Sequence, residues 1–500
     1  MNTSPITIIR KSNSWNEFNQ RISKLTNKQK GDCFEALTKY YLQLHPTYSS
    51  KLRHVWNLSE VPTDLKKHLN LPDNDEGIDL VAETREGCYW AIQCKYRSDE
   101  LKSLTRPHVD TFISMALKVC KNFELALVCT TLDRFSHKLS KFYGNEISLC
   151  CGDVWRSLNE TFFHRLHSYI DGKIVLPGKH EPRPHQQTAI TKAHQHFISN
   201  REVRGKLIMP CASGKSLTSY WMARSLGAKR ILLAVPSLAL IRQSLEVWTN
   251  EALAEGQEVN WICVCSDTSV KDVVSDELIS FTQDLGIMVH TDPDKIAEWL
   301  SKTSDITTLV ITTYQSGKAI SEGARKANFS FDFGIMDEAH KTVGKKDSLF
   351  SHLLFDENIP IKYRLFMTAT ERRYKGNSEQ ILSMEDPEIY GDTFHILSFK
   401  EALECQPPIL SDYRIVTIVV TRSDIAQLIN NNIYVRSRKI NKGKPEEAET
   451  LAAAVALRKA IRDYPIRHSV SFHSNIKRAM EFRDINDSFN KGFPEFDHLK

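Results

Sequence analysis

Paired cysteines are missing from this sequence. Its eleven cysteines are scattered without a CxxC pair; Cys150 and Cys151 are adjacent, and Cys263 and Cys265 are one residue apart. Neither a zinc ribbon nor a disulfide scaffold is spelled out, so the thiols read as reduced core residues. Long apolar runs are missing too. No stretch reaches the roughly 18 apolar residues of a membrane span, and MNTSPITIIRKSNSW at the start has no secretory h-region. The expectation is a cytoplasmic protein with no membrane partner. There is no internal repeat, low-complexity tract or coiled-coil heptad. Nor does charge of one sign dominate: 66 Lys and Arg against 61 Asp and Glu leave +5, which permits a nucleic-acid partner without demanding one.

What is present is the balance of a globular enzyme. The 500 residues are 41% hydrophobic and 25% charged, enough for roughly two to four domains. Three blocks follow one another. Residues 1–170 open on the helical pattern GDCFEALTKYYLQL, continue through a hairpin, and then set the helical TFISMALKVCKNF before the apolar strand ELALVCTT. Residues 171–182 concentrate Pro, Gly and charge and read as a linker. Residues 183–405 repeat a strand, turn and helix rhythm through GKLIMP, RILLAVP, TLVITTY, FGIMDEAH and YRLFMTAT, which predicts a parallel α/β sheet. A third block, residues 406–500, ends with RHSVSFHSNIKRAMEF, expected as one more strand running into a helix.

The hairpin GIDLVAETREGCYWAIQCKYR carries unusual polar residues. Asp79 opens an apolar run, where a carboxylate is costly to bury unless donors or a cation compensate it. Gln93 and Lys95 lie two apart on the next strand, so they share a face, and the REG turn brings them beside Asp79. Phosphodiester hydrolysis needs a hard divalent cation held by oxygens and a lysine near the attacking water. Asp79 and Gln93 supply the oxygens, and Lys95 orients or activates the attacking water and stabilises the scissile phosphate. Taken alone, a strand-end lysine beside an aspartate is more often a salt bridge.

The second block carries phosphate chemistry. MPCASGKSL sits between an apolar strand and a helix, the setting of a P-loop. Backbone N–H groups of Ser213 and Gly214 can cradle phosphates, Lys215 can reach their oxygens and the Ser216 hydroxyl can ligate Mg²⁺. The pattern is imperfect, since Met209 replaces its first glycine. Further on, IMDEAHK ends another apolar strand and offers Asp337 to hold Mg²⁺ and Glu338 to orient water. Thr368 and Thr370 follow in TAT.

These motifs in this order resemble the superfamily 2 helicases of DEAH type. The resemblance implies two RecA-like lobes with ATP between them. It makes PRPHQ an adenine-recognition element with Arg183 and Gln186, and VPSLALIRQ and TTYQS the segments that hold DNA by its backbone through Ser237, Arg242, Thr313 and Gln315. For Arg242 alone, a solvated helix face is an equal reading. Ala212 stands where related helicases usually carry a further glycine. SFHSNIKRA resembles the first motif of the second lobe, but no arginine-rich finger motif follows it. The expectation is therefore an incomplete second lobe, nucleotide binding without coupled movement, and the N-terminal part of a larger protein.

In that company the hairpin resembles the Mrr-type PD-(D/E)xK nucleases, whose preceding helix carries a glutamate; GDCFEAL puts Glu35 there. The combination resembles the Type ISP restriction-modification enzymes. The family implies a Mg²⁺-dependent endonuclease joined to an ATP-driven translocase acting on DNA, with methyltransferase and target-recognition modules elsewhere. The alternatives are a helicase or remodeller whose first domain only grips DNA, and a remnant that binds without turnover.

Overall fold

The computed structural model describes residues 4–72, 77–98, 103–135, 146–266, 281–302, 305–346, 348–374, 381–421, 423, 445–466, 468–473 and 476–492. Described residues up to Leu410 form one compact unit and those from Ser411 onward another.

The first sheet is built from β1 (Leu52–Asn57), β2 (Leu80–Thr84) and β3 (Tyr89–Lys95). The short β4 (Ser103–Leu104) follows, and β5 (Phe123–Thr130), β6 (Arg134–Phe135) and β7 (Ile147–Cys150) complete this part of the chain. The order is β1-β2-β3-β5-β7, with β4 and β6 pairing separately. β1, β2 and β3 are antiparallel, as the turn signal required, whereas β3, β5 and β7 are parallel. β3 does not alternate buried and exposed residues because both faces are covered. The helix Asn27–Leu44, held at its start by a Thr26–Gln29 capping box, packs Phe34, Leu37 and Tyr41 with Trp90 and Ile92. The segment around Phe112, Ile113 and Met115 covers Val81, Ala91 and Val128 on the other face. Trp155 is fully buried, its indole N–H donating to the Thr130 carbonyl at 2.9 Å and its ring lying 4.8 Å from Phe34 and 5.0 Å from Tyr41. Trp155→Ala would cost about 3–5 kcal/mol.

The second sheet has eight strands: β8 (Arg204–Ile208), β9 (Arg230–Val235), β10 (Val259–Val264), β11 (Val289–His290), β12 (Thr307–Thr313), β13 (Phe331–Met336), β15 (Ile361–Thr368) and β17 (Asp392–Ile396), with the two-residue β14 (Gly344–Lys345) and β16 (Ile381–Leu382) forming a ladder of their own. Its order is β11-β10-β12-β9-β13-β15-β8-β17 and every pairing is parallel. This is a RecA-like sheet, and the strand and helix rhythm of the sequence maps onto it directly. The loops at the carboxyl ends of β8, β13 and β15 are therefore neighbours.

The two sheets are joined by more than the chain between them. Helix Pro46–Lys51 packs against helix Leu238–Ala254. Tyr48 Oη donates to the Gly286 carbonyl at 2.9 Å, Ser148 Oγ to the Gln283 carbonyl at 3.0 Å, and the Trp261 indole to Ser50 Oγ at 3.0 Å. Gly286 has φ +72°, and a Cβ there would come within 2.7 Å of Tyr48 Oη, so the approach depends on glycine. A single apolar cluster runs from Tyr41, Tyr48 and Trp155 to Leu245, Trp248 and Ile287.

In the second unit the helices Pro445–Asp463 and Ile476–Gly492 pack through Ala454, Val455 and Phe482. The helix expected after SFHSN is present. The strand is not: residues 468–473 join no ladder, because no strand among the described residues lies beside them. Among the described residues, no helix is long and apolar enough to cross a membrane.

Candidate active sites

The first candidate site lies at the open end of the β2–β3 hairpin. Leu80 pairs with Ile92, so carrying the register one step further sets Asp79 opposite Gln93. Asp79 is fixed at both ends of the residue: its N–H donates to the Ile92 carbonyl at 3.0 Å, and Oδ2 accepts the Cys94 backbone N–H at 2.6 Å. Gln93 is 2% exposed. Its Nε2 donates to the Gly77 carbonyl at 2.9 Å, which sets the amide's orientation and leaves Oε1 buried with no partner. A buried carbonyl oxygen without a donor is costly, and it suits a cation ligand. Gly77 has φ +101°, and a Cβ there would meet Gln93 Nε2 at 3.2 Å and Phe112 Cα at 3.4 Å.

Lys95 is partly exposed and, by alternation, shares the Gln93 face; its carbonyl accepts Thr130 Oγ1 at 2.9 Å. Glu35, on helix Asn27–Leu44, approaches from the opposite face. Burial first, and then the charges of Asp79 and Glu35, push the Cys94 thiol well above its ordinary range, which places both carboxylates around that residue. Glu35 and Gln93 thus flank the same strand end from its two sides, with Asp79 between them in the ladder.

The second candidate site is formed by the carboxyl ends of the parallel strands. The P-loop leaves β8 at Met209, whose N–H donates to the Thr368 carbonyl at 3.0 Å and whose carbonyl faces Lys215 Nζ at 3.5 Å. Thus the residue that replaces the first glycine contributes its backbone. Ala212 (φ +64°) and Gly214 (φ +86°) are both left-handed. Ser213 Oγ closes the turn on the Pro210 carbonyl at 2.7 Å, and Ser216 follows at the first turn of the helix Lys215–Ser225. Buried Lys215 lies 3.7 Å from Glu338. Asp337 is 6% exposed; burial first, then the Glu338 charge, push its carboxyl up to about 6, against the pull of Lys215. Glu338 adopts φ +49°, a strained conformation for a non-glycine residue.

His340, which the motif implied without a role, bridges the two strand ends: its Nδ1 lies 3.1 Å from Thr368 Oγ1 and 3.3 Å from Glu338. Thr368 Oγ1 also accepts the Thr370 N–H at 3.2 Å. Arg183 and Gln186 cap the helix Pro184–His194, with the Arg183 N–H donating to Gln186 Oε1 at 2.9 Å. Gln186 Nε2 reaches the Gly214 carbonyl at 3.4 Å, and His185 the Ser213 carbonyl at 3.0 Å. The PRPHQ segment and the loop before helix Lys215–Ser225 are one connected assembly.

The four residues expected at DNA are placed differently. Ser237 caps the helix Leu238–Ala254 through the Leu240 N–H at 3.4 Å. Thr313 is 1% exposed and donates to Ser316 Oγ at 3.1 Å. Gln315 holds a buried Oε1 with no partner. Arg242 is committed elsewhere: its guanidinium lies 2.9 Å from Asp153, on the nuclease side of the chain, and 3.4 Å from Glu246. Its sequence context gave no sign of this, because Asp153 is remote in the chain.

Among the described residues no group of three or more His, Cys, Asp or Glu side chains is placed to hold a metal ion. A nuclease ion would need the Gln93 carbonyl as well.

Residues 43–149 match the restriction endonuclease family, and residues 179–373 match the family of the Type III restriction enzyme res subunit. The chain therefore carries a restriction-endonuclease domain followed by a helicase ATP-binding domain, families that use a divalent metal and ATP. More particularly, it shares its fold with the Type ISP restriction-modification enzyme LlaBIII in a DNA-bound structure: TM-score 0.73 and 24% identity, covering 95% of this chain and 31% of that one. A nuclease-deleted LlaGI, also Type ISP, aligns at TM-score 0.36 and 24% identity over 63% of this chain and 30% of its own. The probable helicase A859L of African swine fever virus is 28% identical over 225 residues, 45% of this chain and 23% of the viral protein. The chain thus spans about a quarter of the length of that curated relative.

Proposed function

We propose that this chain is the cutting and ATP-using portion of a DNA restriction enzyme, a Mg²⁺-dependent endonuclease joined to a superfamily 2 motor lobe. The observation that carries it is the orphaned Gln93 carbonyl, buried opposite Asp79 in the same compact unit as the Lys215–Glu338 pair. Asp79 and Gln93 are the oxygen donors for Mg²⁺, and Glu35 supplies a further carboxylate at the same strand end from the other face. When bound, the ion supplies Lewis-acid charge at the scissile phosphate. Lys95 orients the attacking water and offsets negative charge as the new P–O bond forms and the bond to the leaving sugar oxygen breaks.

In the motor lobe Arg183 and Gln186 hold adenine, and the backbone of Ser213 and Gly214 cradles the phosphates. Lys215 reaches their oxygens, Ser216 and Asp337 are the oxygen donors for the nucleotide's Mg²⁺, and Glu338 orients the hydrolytic water. Thr368 and Thr370 tie these loops together through His340. Ser237, Thr313 and Gln315 lie in the segments that resemble DNA-backbone contacts in this superfamily. Residues 1–170 and 183–405 are the two functional blocks, and 406–500 begin a second motor lobe. A cytoplasmic location, and methyltransferase and target-recognition modules elsewhere, complete this reading.

The test is cleavage of linear and supercoiled plasmid with Mg²⁺, with and without ATP, using wild type, Asp79→Ala and Lys215→Ala. Metal-dependent cutting lost in Asp79→Ala and ATP-dependent cutting lost in Lys215→Ala are the expected results. ATP hydrolysis without any cutting by wild type would refute the nuclease half.

A further inference from the structure

A basic surface adjoins the candidate nuclease site. Tyr96, Arg97 and Ser98 continue the chain beyond β3, just past Lys95. The first turns of the helix Asn27–Leu44 lie against them: Lys30 Nζ donates to Ser98 Oγ at 3.4 Å, and the Phe34 and Tyr96 rings are 6.1 Å apart. Tyr96 Oη also donates to Asn19 Oδ1 at 2.7 Å, which brings the preceding helix, Trp15–Ile22, to the same strand end.

From Ser23 to Phe34 there are three lysines, Lys24, Lys28 and Lys30, against one carboxylate, Asp32. Lys24, Lys28 and Arg97 are exposed and Lys30 is partly so. Among the described residues none of these four cations is paired with a carboxylate, whereas the neighbouring Arg21 lies 3.9 Å from Glu17. Unpaired like charges gathered on one surface repel one another, and a polyanion laid over them relieves that repulsion.

Gly31 is an independent sign of an outside partner. It sits in the second turn of the helix, three residues after Lys28 and four before Glu35, so the three share one helix face. Glycine inside a helix is destabilising relative to alanine. Yet a Cβ at Gly31 would meet nothing within 4 Å, so no packing within the described chain asks for its absence. Bare backbone beside Glu35, flanked by lysines, suits the close approach of a ligand from outside.

Resting on the nuclease reading, we propose that one strand of duplex DNA lies across this surface, its phosphates held by Lys24, Lys28, Lys30 and Arg97 and its backbone running over Gly31 into the site. These are positioning contacts. Three of the four cations are ammonium groups, point charges that do not read a base edge bidentately, so the surface holds DNA of any sequence.

The experiment uses the intact chain and a short duplex, with Ca²⁺ replacing Mg²⁺ to prevent cutting, and reads the acylation of each lysine by mass spectrometry. Saturating duplex protects Lys24, Lys28 and Lys30. Lys67, exposed on the helix whose His68 ring lies 6.1 Å from Tyr89 at the other end of β3, stays reactive. In Lys28→Gln/Lys30→Gln the slope of log affinity against log salt, read from Lys24 protection, becomes shallower by about two. Gly31→Gln raises the melting temperature by about 1–2 °C and moves half-protection to severalfold more duplex. Lysines as reactive with duplex as without it, an unchanged salt slope, or a Gly31→Gln half-protection point equal to wild type overturns the proposal. Protection without any Mg²⁺-dependent cutting keeps the surface and refutes the nuclease reading; cutting without protection does the reverse.

Discussion

The carboxylate of Asp79 accepts the backbone N–H of Cys94 at 2.6 Å, and Cys94 is the residue between Gln93 and Lys95. One bond across the hairpin thus sets the acid in register with both partners. Asp79→Asn keeps the acceptor and the shape but removes the charge. Plasmid cleavage should fall at least about 100-fold, the scale of losing a positioned charge at a reacting phosphate, while DNA retention in a gel shift stays unchanged. Cleavage at the wild-type rate would reduce Asp79 to a builder of the turn.

Lys215→Ala should weaken nucleotide binding by about 10- to 100-fold, as expected for loss of a buried charged donor. A fluorescent ADP titration reads this directly. Equal affinity would mean that the P-loop backbone alone holds the phosphates.

Ala212 holds φ +64° where a side chain costs roughly 1–2 kcal/mol. Ala212→Gly removes that strain and gives back about 0.4–1 kcal/mol to the more flexible unfolded chain. A net stabilisation of between about 0 and 1.6 kcal/mol is expected in urea melts.

Burial, then Arg242 and Arg165, push His45 from 6.5 down to about 3. The unfolded imidazole therefore takes up a proton near pH 6.5 while the folded one does not until about pH 3. Between those values the unfolded state binds more protons, so stability rises with pH. His45's contribution is fully present above pH 6.5 and is lost as pH falls, with a slope approaching 1.4 kcal/mol per unit, roughly. Melts from pH 7.5 to 5 should show that loss, and His45→Gln should flatten it.

Arg242 and Asp153 join the two domains at 2.9 Å, but the Asp153 side chain is 57% exposed. Solvent screening limits their coupling in a double-mutant cycle to about 0.5–1 kcal/mol. The salt dependence of DNA affinity should not change in Arg242→Met; a shallower slope would return Arg242 to the phosphate backbone.

Much of this was legible in the chain because chemistry dictates order. The P-loop, the Asp337–Glu338 pair and TAT each end an apolar strand, and a parallel sheet collects those ends on one side. The hairpin was legible because a short turn leaves only one register for Asp79 against Gln93. Contacts such as Tyr48 to Gly286 or Arg242 to Asp153 have no local signature, since neither partner's surroundings depend on the other until the fold brings them together. The expected strand in residues 468–473 failed for the related reason that a strand needs a neighbour, and apolar pattern alone does not supply one.

The shared core from Trp155 to Trp248 has a mechanical meaning. A blade on a flexible tether searches a sphere, and its cuts scatter with the length of the tether. A blade whose base is packed into the motor's front lobe has no reach of its own. On the proposed function, wherever that lobe halts on DNA the incision would fall at one constant offset, so the stopping point of the motor would be written into the position of the break.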